Sequence, residues 1–192
     1  MRKKAKSQKA EYDIVEHVHR LASWAASSAA SQKGHRFEAR AGLAIIEKAK
    51  LHEFLRSPPN SLEPDEIDSL HRKWRKTVIR IAKVEAPGAN FNDGIAAKLI
   101  NVYLKVGLIT IGNQHNKLAN VLHPPIDSVL LKGMEADDRK SNPANLARAD
   151  FFRDQRWTTF ESKDYEEVIK KVREKLGSKT PLWRIETYWS LQ

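Results

Sequence analysis

Apolar residues recur along this chain at three- and four-residue spacing, and no stretch shows the convincing period-two alternation of a half-buried strand. Ile14, Val18, Leu21 and Ala25 predict an amphipathic helix over 12–31, closed by the serine-rich stretch 27–31 and Gly34. Phe37, Ala41, Ile45, Ala49 and His52 predict a second over 35–56, stopped at Ser57-Pro58-Pro59-Asn60. A third opens with Pro64, and Asp65 and Glu66 in its first turn complement the helix dipole. It turns Ile67, Leu70, Trp74, Val78 and Ile81 inward, and Arg72, Lys73, Arg75, Lys76 and Arg80 outward. After a break at 86–90, a fourth helix runs over 93–109 with Asn92 or Asp93 as N-cap.

The remainder alternates short elements with polar breaks. A loop over 112–125 leads to a short helix from Asp127 or Ser128, and a polar loop over 133–145 to another short helix at 146–155. Ser162 caps a helix that Gly177 ends, and Thr180-Pro181 opens a last one with Leu182, Ile185 and Trp189 on one side. The expected class is all-α, with a disordered basic tail over 1–10 and a single helical domain over 11–192.

Charge narrows the partner. Lys and Arg number 34 against 24 Asp and Glu, a formal surplus of +10 that favours polyphosphate through counterion release. The expected partner is DNA, bound by a monomer in the cytoplasm. The absence of cysteine excludes disulfides, thiolate zinc sites, iron–sulfur clusters and a cysteine nucleophile. No uninterrupted apolar run reaches the ~18 residues of a membrane span, so no membrane partner is expected. His17 and His19 stand two apart on a helix and face different directions, and no His-Glu-x-x-His pattern occurs, so neither metal nor cofactor is expected.

One segment, within about 88–135, carries candidate chemistry: Asn92-Asp-Gly-Ile-Ala-Ala-Lys-Leu-Ile-Asn101, then His123-Pro-Pro-Ile-Asp127. It resembles the signature of the helix-hairpin-helix DNA glycosylases, the endonuclease III and 8-oxoguanine branches included. The resemblance places Gly94 on a hairpin glycine, Lys98 on the catalytic lysine, Asn101 on a frequent asparagine and Asp127 on the catalytic aspartate. It implies a helix-hairpin-helix fold in which Asn92, Gly94, Ala96, Asn101, Lys105 and His123 contact DNA. The chain departs from the pattern at Ala96, where a second glycine is usual, and in the 28 residues between Lys98 and Asp127, a longer gap than usual. Lacking cysteine, it cannot carry the iron–sulfur cluster of the endonuclease III branch.

The chemistry explains why such a site uses these residue types. A base flipped out of the duplex leaves a sugar that turns cationic as the glycosidic bond breaks, and a nearby carboxylate stabilises that charge. An amine deprived of its proton by burial can attack the sugar carbon and form a Schiff base, which permits strand cleavage. Asp127 would fill the first role and Lys98 the second; the alternative is that Lys98 only contacts phosphate while Asp127 activates water, which leaves an intact abasic site. The implied function is excision of a damaged or modified base, and divergence from the usual pattern leaves room for hypermodified phage DNA and a defence role. The alternative is a non-catalytic helical DNA-binding protein that uses the hairpin for phosphate contact alone.

Overall fold

The computed structural model describes residues 12–113 and 115–190, so the expected basic tail at 1–10 lies outside the described residues. Eight α-helices form among the described residues: α1 (Ile14–Ala30), α2 (Ala39–Lys48), α3 (Leu51–Arg56), α4 (Pro64–Glu85), α5 (Asp93–Leu104), α6 (Ser128–Ser141), α7 (Leu146–Asp154) and α8 (Ser162–Leu176). There is no strand among the described residues, and an isolated bridge from Gln32 to His35 closes the turn after α1. The protein is all-α.

α5 is the hub. α1, α4, α8 and the turn at Trp157–Thr159 all pack on it, and Ile95, Ala96, Leu99, Ile100 and Tyr103 are fully buried. The helix continues into a π-helical stretch, Lys105–Asn113, that kinks at Ile111 and Gly112, where φ is +98°. The run Asp93–Gly112 therefore has the length and hydropathy of a membrane span, which the sequence reading did not anticipate. It is 67% buried among the other helices, and a helix apolar all round is what the centre of a bundle requires.

The start of α4 is built as expected. Pro64 opens it and the Glu66 carboxylate accepts from the Glu63 amide at 2.7 Å. Its exterior is not as expected: Arg75 is 1% exposed and bonds Asp93, Ser162 and Glu166. Arg72 pairs with Glu166, leaving Lys73, Lys76, Arg80 and Lys83 as an exposed stripe with no ion pair among the described residues.

Three further expectations are corrected. α1 buries Ala22, Ser23, Ala26, Ser27 and Ala30 and exposes Ile14, Leu21 and Trp24. The small residues make the seam because they let neighbouring backbones approach, and Gly42 of α2 sits directly against Ser27. The expected second helix is two, broken where Lys50 adopts φ +60°. The polar stretch from residue 133 is helical through Ser141, and Gly133 leaves room for the carbonyl of Tyr188 to cross α6 where a Cβ would otherwise stand.

Candidate active site

Lys98 projects from the middle of α5 and is only 6% exposed. Its Nζ donates to Oδ2 of Asp127 at 2.8 Å. Asp127 is the N-cap of α6, its Oδ1 accepting from the Leu130 amide at 2.8 Å. The same Oδ2 also accepts from the indole Nε1–H of Trp189 at 3.1 Å. The two residues expected to carry chemistry thus meet across 29 positions of chain. They line a cleft of about 410 Å³ with Val102, Pro125, Trp157 and Trp189, a size suited to a small organic group. Lys98 Nζ stands 5.8 Å from the Trp157 ring centroid, and a second ion pair, Lys105 with Glu186, lies in the same cleft.

Burial pulls the Lys98 amine below the ordinary lysine range, while the charge and hydrogen bond of Asp127 oppose it. For Asp127 burial pushes upward, but the Lys98 charge, the Leu130 amide and the Trp189 N–H outweigh it and hold the carboxyl below its ordinary value. The resting pair is a carboxylate and an ammonium with a weakened grip on its proton.

Of the residues expected to touch DNA, most are engaged inside the protein. Gly94 is buried in the first turn of α5, its Cα against the Trp157 carbonyl and its amide directed at Phe160 O, 3.4 Å away. Asn92 caps the Ile95 amide at 3.0 Å and donates to Thr158 O at 2.6 Å, and Ala96 is fully buried with its amide on Asn92 O. Those amides are taken, so they offer no phosphate cradle. The glycine with positive φ in the turn before α5 is the exposed Gly88, not Gly94. Lys105 alone of the six faces the cleft.

Asn101 and His123 are buried in a directional hydrogen-bond chain. Arg75 donates to His71 Nδ1 at 2.8 Å, which leaves the His71 proton on Nε2, facing Asn101 Oδ1 at 2.7 Å. Asn101 Nδ2 donates to the Tyr165 hydroxyl at 2.9 Å, Tyr165 to His123 Nδ1 at 3.0 Å, and His123 Nε2–H to Asp68 at 2.7 Å. Asn101 also donates to Pro124 O at 2.8 Å, fixing the strap that sets Asp127 opposite Lys98. Its side chain thus holds, from inside the protein, the segment that leads to Asp127.

The chain makes the fold acid-sensitive. Burial holds both His71 and His123 below the ordinary histidine value near 6.5, so both are neutral when folded and take up protons more readily when unfolded. Their contribution is full above that value and lost as pH falls below it. The denaturant midpoint is expected to drop between pH 7.5 and 5.5, before the carboxylates titrate, by at most the ~1.4 kcal/mol per histidine that one pH unit below 6.5 allows. A midpoint unchanged over that interval would refute the neutral assignment.

Trp157, Glu186 and Trp189 escaped the sequence reading as site residues. All three come from elements remote in sequence from α5, and Trp189 shares one side of the last predicted helix with Leu182 and Ile185, as a packing residue would. No family model, curated protein or solved structure matches this chain. Function must therefore be read from the site's own chemistry.

Proposed function

We propose that the protein is a DNA glycosylase that excises a damaged or modified base, with Asp127 and Lys98 as its reactive groups. The observation that carries this reading is the 2.8 Å contact of a buried amine with a carboxylate in an aromatic-walled cleft. A flipped nucleotide would place its base in the cleft beside Trp157 and Trp189 and its sugar at the pair. Cleavage of the glycosidic bond sends the electron pair to the base, which takes up a proton. The Asp127 carboxylate faces the cation left at the sugar. Lys98, having passed one proton to the departing base, bonds through its neutral nitrogen to that carbon; a second proton leaves the nitrogen for the ring oxygen as the ring's carbon–oxygen bond breaks, giving the Schiff base.

The exposed stripe of Lys73, Lys76, Arg80 and Lys83, which spans about 15 Å along α4, offers phosphate an electrostatic contact. Affinity for duplex DNA should fall roughly tenfold or more from low to moderate salt, with little dependence on sequence, in a filter-binding or anisotropy titration. Salt-independent affinity would refute electrostatic docking. The activity itself is tested on duplexes carrying single damaged or modified bases, scored for abasic sites. A protein that binds them all and releases no base would be the non-catalytic alternative.

A further inference from the structure

The last described stretch of the chain lies on the reactive pair. The 3-10 segment Leu182–Tyr188 anchors itself by burying Leu182 and Ile185, then passes over α6 at Gly133. From this strap Glu186 pairs with Lys105, and Trp189 donates to Asp127. Trp189 is 40% exposed, so core packing does not account for its placement; the bond to the carboxylate does. With Leu130 on Oδ1, and with Lys98 and Trp189 on Oδ2, the carboxylate has no freedom to rotate. Lys105 lies two helical turns beyond Lys98 and, without Glu186, would bring a second uncompensated cation into the cleft.

We infer that Glu186 and Trp189 are positioning residues of the Lys98–Asp127 pair, Glu186 keeping the proton on Lys98 and Trp189 dividing the Asp127 charge. The inference takes that pair as the reactive centre proposed above. The charged groups facing Lys98 are Asp127 from the α6 cap, Glu186 from the strap and Lys105 from the continuation of α5; Gln32 and Ala29 beside α1 and Trp157 bring no charge. Loss of the Glu186 charge leaves Lys105 unopposed and loosens the Lys98 proton. Loss of the Trp189 N–H returns carboxylate charge to Lys98 and tightens it. The two side chains of one strap therefore act in opposite directions on one amine.

Competitive acylation of the full chain across a pH series, with the Lys98 peptide read by mass spectrometry, measures that amine without any DNA. Glu186→Gln is expected to move the Lys98 midpoint down, and Trp189→Phe to move it up, each by about half a pH unit. Melting temperatures of both variants serve as the folding control. Midpoints that stay at the wild-type value, or that move together with a fall in melting temperature, would overturn the inference. Base release by the wild-type protein is scored separately: opposite midpoint shifts without any base release would uphold the positioning roles and remove the glycosylase reading.

Discussion

Asp127→Asn should abolish base release while leaving the fold and the affinity for DNA in place. Asparagine caps a helix about as well as aspartate, so the Leu130 amide keeps its acceptor and α6 its start. What disappears is the negative charge opposite the sugar, and that charge acts on a cation formed only as the bond breaks. Loss of one such group costs on the order of a hundredfold or more in rate. Single-turnover base release, measured beside DNA binding and a melting curve, separates the outcomes. Binding should hold or tighten slightly, since a negative charge has left a site that faces phosphate. A fully active variant would remove Asp127 from the chemistry, and one that unfolds would show its capping and pairing to be its main work.

Lys98→Arg should eliminate strand cleavage and leave the cleft charged. Arginine stays protonated at any working pH, so it can pair with Asp127 but cannot offer a neutral nitrogen to carbon. Cleavage of a preformed abasic site should fall at least about a hundredfold, the scale set by loss of an activated nucleophile. In the wild-type protein the cleavage rate should rise with pH, because only the neutral amine attacks. It should level off below the ordinary lysine value, since burial lowers the pH at which Lys98 gives up its proton. Cleavage that persists in Lys98→Arg would assign the Schiff base to another amine.

How much of this was legible in the sequence depends on what each residue touches. The opening of α4 was readable because Pro64 and Glu66 act within one turn. Lys98 and Asp127 could be paired because their neighbours form recognisable local patterns, although 28 residues separate them. Helix faces were less legible. Ile14, Val18, Leu21 and Ala25 look like an inward stripe, yet Ile14 and Leu21 are exposed and the seam with α5 and α2 is made by alanine and serine, whose value lies in being small. Arg75 looked like one more surface cation, and only the arrival of Asp93, Ser162 and Glu166 from distant elements makes its burial tolerable. Asn101 fits a DNA-contact pattern by spacing, but spacing carries no information about His71, Pro124 and Tyr165 closing around it. Trp189 reaches Asp127 because Gly133 lets the strap pass over α6, a long-range fit that no local window contains.

The central claim, that the Lys98–Asp127 pair is a base-excising centre, meets its most direct test in borohydride trapping. Wild-type protein is incubated with duplexes carrying single damaged or modified bases, reduced in place, and the protein–DNA adduct is digested and mapped. A covalent adduct on Lys98 is expected with at least one of these duplexes, and none with Lys98→Arg. No base released from any duplex, or an adduct mapping to a different lysine with Lys98→Arg still trapped, would contradict it.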